Sequence, residues 1–256
     1  MGRGSVITST SNPRIKAIRR LAKRRERAAE RLFLIEGRRE LDRAVAAGVE
    51  IEVVVSAGDV AAPPGAEVLE VSRSVLDALV YREGGDAVVA VARMFDTSLG
   101  ALRLPPDPLV LVAAGIEKPG NLGAMLRTAA AAGVDALVVA DPVTDVFNPN
   151  VVRASVGALF TVPTVVGEAP AVVAALDGLR VLATTPDGAV PHWAADMTRG
   201  TAIVIGSEAG GLPTEWLEAA HERIVVPMPG ARGVDSLNAS STAAVVLFEA
   251  VRQRSS

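Results

Sequence analysis

Short apolar runs alternate with segments of helical periodicity from Pro108 onward, and this alternation is the strongest constraint on the fold. Continuous apolar strands separated by helices are typical of a parallel sheet that is covered on both faces. The second part of the chain is therefore predicted to have an α/β fold. The predicted strands are 109–114, 136–140, 162–166, 180–184, 202–206 and 223–227, and the predicted helices are 121–132, 149–159, 169–176, 214–220 and 240–254.

The first 95 residues predict a smaller α/β domain. Short apolar runs there flank two segments of helical spacing, and the whole unit has the size of an ordinary small domain. Residues 96–107, which include Pro105 and Pro106, predict a linker, so the predicted domains are 1–95 and 108–256. The predicted strands of the first domain are 33–35, 49–56, 68–71 and 87–93, and its predicted helices are 36–47 and 72–79.

The charge of the chain is unevenly distributed. The first 43 residues contain 13 of the 26 Lys and Arg residues but 5 of the 29 acidic residues, which gives them a net charge of +8. The remaining residues carry −11, so the formal net charge of −3 hides a basic segment on an acidic body. A basic segment of this kind indicates a polyanionic partner, and nucleic acid fits best.

The basic segment itself predicts a helix. Asn12 and Pro13 are suited to a helix start, and apolar residues recur at helical spacing from Ile15 to Leu32. A solvated helix without a partner would show the same pattern, but so lopsided a charge favours contact with phosphates. The predicted RNA-binding residues are Arg14, Lys16, Arg19, Arg20, Lys23 and Arg24.

Composition and the absence of common motifs exclude several classes of protein. The chain has no cysteine and only two histidines, so thiol catalysis, disulfides and a histidine-rich metal site are excluded, and we expect no bound metal. The sequence lacks the glycine-rich motifs of nicotinamide enzymes and P-loop NTPases and the serine motif of α/β hydrolases. Neither a membrane-spanning run nor a signal peptide is evident, so we expect a soluble cytoplasmic protein.

Four polar clusters follow predicted strands of the second domain. They occupy residues 117–127, 206–212, 226–230 and 236–240. Taken singly, each could be an ordinary turn, an exit loop or a helix cap. Ligands of parallel α/β sheets bind at the carboxyl ends of the strands, however, and all four clusters are predicted to lie there. The coincidence predicts a binding site.

Together, these clusters resemble the SpoU/TrmH family of the SPOUT superfamily, which are S-adenosylmethionine-dependent RNA ribose 2′-O-methyltransferases. The resemblance covers residues from about 108 to 254. It is carried by three ordered motifs, at residues 121–129, 205–212 and 227–240. Residues 1–95 resemble, less specifically, the ribosomal-protein-like substrate-binding domain of members that act on large-subunit ribosomal RNA.

The resemblance implies a deep trefoil knot in the second domain, a homodimer, S-adenosylmethionine as the cofactor and large-subunit (23S) ribosomal RNA as the substrate. It also implies site residues. Those at the family's catalytic positions are Asn121, Arg127, Glu208, Ser236 and Asn238, and the cofactor would be held near Thr184, Gly206, Val226, Met228 and Leu237.

Roles for these residues follow as hypotheses from the chemistry. An arginine keeps its proton at physiological pH, so Arg127 is better suited to anchoring a phosphate than to acting as a base. Glu208 would orient Arg127 or Asn121. Two alternatives stay open: a transfer-RNA methyltransferase of the same fold, and a non-catalytic RNA-binding or ribosome-assembly factor.

Overall fold

The structure is a computed structural model that describes residues 6–80, 88–230 and 236–255. The chain forms two compact units: residues 1–95 with 145–160, and residues 96–144 with 161–256. Segment 145–160, which lies inside the second predicted domain, therefore packs with the first unit. The predicted domain boundaries stay a prediction, because compactness does not show which segments fold alone.

The described helices and strands alternate along most of the chain. The helices are α1 (Pro13–Arg20), α2 (Arg24–Glu30), α3 (Arg38–Ala46), α4 (Arg73–Asp77), α5 (Pro119–Ala132), α6 (Pro149–Ser155), α7 (Ala169–Ala175), α8 (Thr214–Ala219) and α9 (Ala239–Arg254). The strands are β1 (Leu32–Glu36), β2 (Ile51–Ser56), β3 (Glu67–Glu70), β4 (Val88–Arg93), β5 (Leu109–Ala114), β6 (Ala136–Ala140), β7 (Thr164–Gly167), β8 (Arg180–Thr184), β9 (Val190–Pro191), β10 (Thr201–Ile205) and β11 (Glu222–Val225).

The first unit contains a four-stranded sheet in the order β1-β4-β2-β3. Strand β4 pairs antiparallel with β1 and β2, whereas β2 and β3 are parallel. Helix α1 starts as predicted, with Asn12 as N-cap and Pro13 as its first residue. Its apolar residues Ile15 and Ile18 are buried among sheet residues, which leaves the charged side chains of α1 outside.

The basic segment forms two helices, and the predicted continuous helix from Pro13 to Leu32 is wrong. Arg27 is only 1% exposed, which is rare for a charged side chain. Its Nη1 donates hydrogen bonds to the carbonyls of Leu21 (2.9 Å) and Ala22 (2.8 Å), and its Nη2 pairs with Asp145. The helix is broken between α1 and α2 because the chain turns there, and the turn directs these two carbonyl oxygens toward the buried guanidinium.

The second unit contains a seven-stranded sheet in the order β7-β6-β5-β10-β8-β11-β9. Each neighbouring pair is parallel, which confirms the predicted parallel α/β fold. The six predicted strands are present with ends shifted by two residues at most, and the two-residue strand β9 was missed. Ile205 of β10 is level with Ala113 of β5 and Thr184 of β8, so the strand ends align along one edge.

Helices cover both faces of this sheet. Val172 of α7 and Trp216 of α8 pack in one cluster with Val112 and Val204. Helices α5 and α9 pack against each other, and α9 also contacts β10. No helix in the described part of the chain has the length and apolar character needed to cross a membrane.

Helix α9 is fixed at its far end by Arg254. The guanidinium donates from Nε to the carbonyl of Met197 (2.8 Å) and from Nη1 to that of Asp107 (2.8 Å). Nη2 donates to the carbonyl of Pro108 (3.1 Å), which directly precedes β5. Helix α9 therefore spans the sheet, and its first residues lie at the carboxyl ends of the strands.

Candidate active site

A cleft of about 650 Å³ lies at the carboxyl edge of the seven-stranded sheet. Its walls come from the residues that follow β8, β10 and β11 and from the start of α9. Three of the four polar clusters predicted from the sequence contribute to it. The lining residues are Thr184, Thr185, Pro186, Ile205, Gly206, Ser207, Glu208, Ala209, Gly210, Gly211, Val225, Val226, Pro227, Met228, Ser236, Leu237, Ala239 and Thr242.

The loop after β10 is folded tightly upon itself. A Cβ atom at Gly206 would collide with the carbonyl of Gly211, so only glycine allows this approach. Gly211 has a φ of +64°, and the backbone N–H of Gly210 donates to the Ser207 hydroxyl (3.1 Å). The glycines therefore shape the loop, and Glu208 is held at its tip.

Glu208 is the centre of a hydrogen-bonded cluster that joins three elements. Its Oε1 accepts hydrogen bonds from Nδ2 of Asn121 and from Nδ2 of Asn238, the second at 2.9 Å. The backbone N–H of Ala239 is 3.5 Å from the same oxygen, and Asn238 Nδ2 also donates to Asn121 Oδ1 (3.1 Å). Three predicted catalytic residues, separated widely in sequence, are thus brought into direct contact.

Two further groups complete the surroundings of Glu208. Lys118 Nζ lies 3.5 Å from Oε2 of Glu208, at the start of α5. The carboxylate also lies at the first turn of α9, where the helix dipole favours a negative charge. Glu208 is therefore surrounded by donors and positive charge, which suits a carboxylate that holds its neighbours in place.

Arg127 lies exposed on α5, apart from this cluster. It makes no hydrogen bond or ion pair with any residue that the structure describes. Of the two partners considered for Glu208, the structure therefore pairs it with Asn121 and not with Arg127. No group in the described part of the chain competes with a ligand for this guanidinium.

The predicted cofactor-binding residues lie together. Thr184, Gly206, Val226, Met228 and Leu237 all line the cleft, and so do Glu208 and Ser236. Asn121, Arg127 and Asn238 are not among its lining residues, but Asn121 and Asn238 both donate to Glu208, which is. The predicted RNA-binding residues are exposed on the first unit, at Arg14, Lys16, Arg19, Arg20, Lys23 and Arg24.

Sequence reasoning missed Thr185. Its side chain is 8% exposed and lines the cleft, yet its hydroxyl has no hydrogen-bond partner among the described residues, and the same holds for the buried Thr184 hydroxyl. A buried hydroxyl without a partner is unfavourable, so a polar ligand in the cleft would relieve this cost. The signal in the sequence was two adjacent threonines at the end of an apolar run.

The cleft has the size and the lining of a small-molecule site. Its volume is in the range of small-molecule sites, and its walls combine apolar side chains with a few polar groups. Within residues 6–80, 88–230 and 236–255, no group of three or more His, Asp or Glu side chains is arranged to hold a metal ion.

Comparison with known proteins gives consistent matches over nearly the whole chain. The family model described as SpoU rRNA Methylase matches residues 108–248, and the model described as MRM3-like substrate binding domain matches residues 12–90. The 23S rRNA (guanosine(2553)-2′-O)-methyltransferase RlmP of Bacillus subtilis is 28% identical over 248 residues, which cover 94% of this chain and 97% of RlmP.

Two solved structures extend the comparison to the fold. A crystal structure of an RNA 2′-O ribose methyltransferase has a TM-score of 0.86 at 42% identity, with 98% of this chain and 100% of that chain covered. The SpoU methyltransferase AviRb from Streptomyces viridochromogenes, in complex with AdoMet (S-adenosylmethionine), has a TM-score of 0.86 at 30% identity, with 96% and 99% covered.

Proposed function

Because this chain belongs to the SpoU rRNA Methylase family, we propose that it methylates a ribose 2′-hydroxyl of RNA with S-adenosylmethionine as the methyl donor. The proposed substrate is large-subunit (23S) ribosomal RNA. RlmP, which acts on 23S ribosomal RNA by name, is matched over nearly all of its length. The match therefore includes the first unit, which carries the basic segment.

One observation supports the function most directly: Asn121, Glu208 and Asn238 meet at the edge of a cleft that contains every predicted cofactor-binding residue. The unpartnered hydroxyls of Thr184 and Thr185 indicate that the cleft takes a polar ligand. Thr184, Thr185 and the backbone around Gly206 and Val226 would hold the cofactor. When bound, S-adenosylmethionine supplies an electrophilic methyl group on a sulfonium sulfur.

The residues around the cleft would align the ribose and stabilise its oxygen. Arg127 would anchor a phosphate next to the target ribose and place positive charge near the 2′-oxygen as negative charge develops there. Asn121 and Asn238, fixed by Glu208, would hold the ribose in position, with Ser236 at the mouth of the cleft. A substrate phosphate or water would take the 2′-hydroxyl proton, because an arginine side chain is a poor base.

The alternatives explain fewer observations. A transfer-RNA methyltransferase of the same fold would need no separate unit that matches a substrate-binding domain model over residues 12–90. A non-catalytic RNA-binding factor would have no use for the convergence of Asn121, Glu208 and Asn238 beside a nucleoside-sized cleft. The methyltransferase function accounts for both features.

A labelling experiment tests the function. The protein is incubated with methyl-labelled S-adenosylmethionine and separate pools of ribosomal and transfer RNA, and any labelled ribose is mapped. Label in 23S ribosomal RNA is the expected result. Label in transfer RNA alone would contradict the proposed substrate, and no label in RNA or intact ribosomal particles would contradict the proposed activity.

Replacing Thr185 with valine is expected to change the free and the cofactor-bound protein in opposite directions. Valine has the shape of threonine without the unpartnered hydroxyl, so the free protein should become more stable, by about 1 kcal/mol. Loss of one hydrogen bond to the cofactor should weaken S-adenosylmethionine binding about 5- to 10-fold. Thermal melts of the free protein and calorimetric titration with the cofactor measure the two effects.

Thr185→Ser is the matched control, because it keeps the hydroxyl and should bind the cofactor with near-normal affinity. If Thr185→Val binds S-adenosylmethionine as tightly as the wild type, the hydroxyl is simply buried and contributes nothing to the ligand. That result would leave the remaining lining residues to hold the cofactor.

The family resemblance further implies a trefoil knot and a homodimer, and we include both in the proposal. Support for the dimer comes from α9, where Val245 (39% exposed) and Phe248 (50% exposed) lie one turn apart on the outer side. A second copy would cover these apolar side chains, which are costly to expose to water.

Phe248→Asp is expected to convert the dimer to a monomer, because it places a charge within the apolar patch. Light scattering after gel filtration measures the mass directly. Val68→Asp, at an exposed position of β3 in the first unit, is the control and should leave the mass unchanged. A Phe248→Asp protein that stays dimeric would place the dimer contact elsewhere.

A further inference from the structure

The exposed cations of α1 and α2 differ in whether they are already paired. Arg14 donates from Nη1 to Glu67 Oε1 (2.8 Å) and from Nη2 to Glu67 Oε2 (2.5 Å). This bidentate bond raises the pKa of Arg14 and lowers the pKa of Glu67. Arg20 lies 3.7 Å from Glu26. Both cations would have to leave a carboxylate before they could bind a phosphate.

Lys16, Arg19 and Lys23 are exposed and have no such partner. No described residue forms a hydrogen bond or ion pair with any of the three side chains. Their charges are compensated only by solvent and salt, so a phosphate could approach them without displacing another group. The electrostatic gain from a polyanion is therefore largest at these positions.

Lys16 and Arg19 lie on the exposed side of α1, and Lys23 lies just beyond its end, as the N-cap of α2. The spacing of three residues places Lys16 and Arg19 about 5–6 Å apart on the helix surface. The backbone N–H groups of Ala22 and Lys23 donate to the carbonyls of Arg19 (3.2 Å) and Arg20 (2.9 Å), so a tight turn holds Lys23 directly after the end of α1.

The opposite side of the same helix is buried, which fixes how the cations are presented. Ile15, Ile18 and Leu21 are at most 7% exposed and pack in the core of the first unit. The helix therefore cannot rotate to hide Lys16 and Arg19, and the turn after α1 keeps Lys23 exposed on the same unit. Single positive charges presented in this way suit the phosphates of one nucleic-acid strand.

We propose that Lys16, Arg19 and Lys23 form a phosphate stripe, which binds consecutive phosphates of one RNA strand, while Arg14 takes no part. This inference rests on the proposed function, since it assigns the docking contact of the same RNA substrate. It also narrows the predicted RNA-binding set, which treated all six basic residues alike.

An RNA strand fits the phosphate stripe better than an acidic protein does. Protein interfaces depend on a few large, mostly aromatic or arginine side chains that enter pockets. The exposed residues between the three cations include only the small Ala17 and Ala22 as apolar groups. The surface thus offers charge without an apolar anchor, as expected for contact with a phosphate backbone.

Two triple variants of the full-length protein test the proposal, each removing three positive charges from the first unit. The stripe variant carries Lys16→Gln, Arg19→Gln and Lys23→Gln. The control carries Arg14→Gln, Arg38→Gln and Arg93→Gln, three exposed cations that are paired with Glu67, with Asp42 and with Glu50 and Glu52. Binding of both to fluorescent fragments of 23S ribosomal RNA is measured over a range of salt concentrations.

Each phosphate contact contributes about 0.7–0.9 to the slope of log affinity against log salt concentration. The stripe variant should therefore lose about 2 units of slope, and the control less than about 1. Equal losses would mean that only net charge matters, and an unchanged slope in the stripe variant would mean that these cations serve another partner. Either result would overturn the proposal.

Failure of the inference can be separated from failure of the proposed function. Both variants should bind S-adenosylmethionine as the wild type does, because the cleft lies in the second unit. If the wild type methylates 23S ribosomal RNA but the stripe variant binds it normally, only the inference is wrong. If the wild type neither binds nor methylates RNA, the proposed function is wrong.

Discussion

Arg127→Ala is expected to lower kcat for ribose methylation by about 10²- to 10³-fold, the loss seen when one preorganised group that stabilises developing negative charge is removed. The affinity for S-adenosylmethionine should stay unchanged, because Arg127 is not among the residues that line the cleft. Rapid-quench measurements with saturating cofactor and RNA give kcat, and calorimetry gives the cofactor affinity.

The expected loss of kcat in Arg127→Ala should not be accompanied by a loss of stability. Arg127 is exposed and has no internal partner within the described residues, so its loss should not change the stability of the fold. Arg199→Ala is the matched control: it removes the same charge two residues before β10, at the opposite edge of the sheet from the cleft, and should leave kcat unchanged.

Arg127→Lys separates charge from shape. Lysine keeps the positive charge but cannot form the two parallel hydrogen bonds of a guanidinium, so its kcat should lie between those of alanine and arginine. Near-normal turnover with an unchanged pH dependence would show that bidentate anchoring of a phosphate is the wrong role for Arg127.

Asp145→Ala is expected to destabilise the protein by about 3 kcal/mol, because it leaves the buried Arg27 guanidinium without its counter-ion. In a chain of this size the melting temperature should fall by about 6–12 °C. Asp42→Ala, which breaks the exposed pair with Arg38, should cost about 0.5 kcal/mol or less.

The double variant Arg27→Met/Asp145→Ala tests whether the unpaired buried charge causes this loss of stability. It removes the buried charge along with its partner, so it should be more stable than Asp145→Ala alone. Urea denaturation of the wild type and of these three variants measures the differences in the free energy of unfolding. An Asp145→Ala protein that is no less stable than Asp42→Ala would show that water reaches Arg27 in solution.

The strands and the meeting of the site residues were predictable because both depend on local patterns. An apolar run such as Val110–Ala113 reports burial directly, and the rule that ligands bind at the carboxyl ends of parallel strands placed Glu208 near Asn121. The family resemblance added the chemical roles, which no pattern of burial contains.

The rest depended on contacts between residues far apart in sequence. Arg27 is buried because it pairs with Asp145. That partner lies 118 positions away in the sequence, and no periodicity in the basic segment reveals it. The hydrogen bond from Arg14 to Glu67 also joins residues that are far apart in the sequence, so it could not be predicted. The Thr185 hydroxyl shows its importance only when every nearby acceptor has been accounted for, which requires coordinates.

Asn238 both caps α9 and donates a hydrogen bond to Glu208, and these two functions restrict which amino acid can occupy the position. Its Oδ1 accepts hydrogen bonds from the backbone N–H (3.0 Å) and the hydroxyl (2.6 Å) of Ser240, while its Nδ2 donates to Glu208. Aspartate would cap α9 equally well but would set one carboxylate against another. Serine would also cap α9, but its side chain is too short to reach Glu208. Asparagine joins an acceptor and a donor in one short side chain, so either replacement would keep the cap of α9 and lose the hydrogen bond that ties this helix to Glu208.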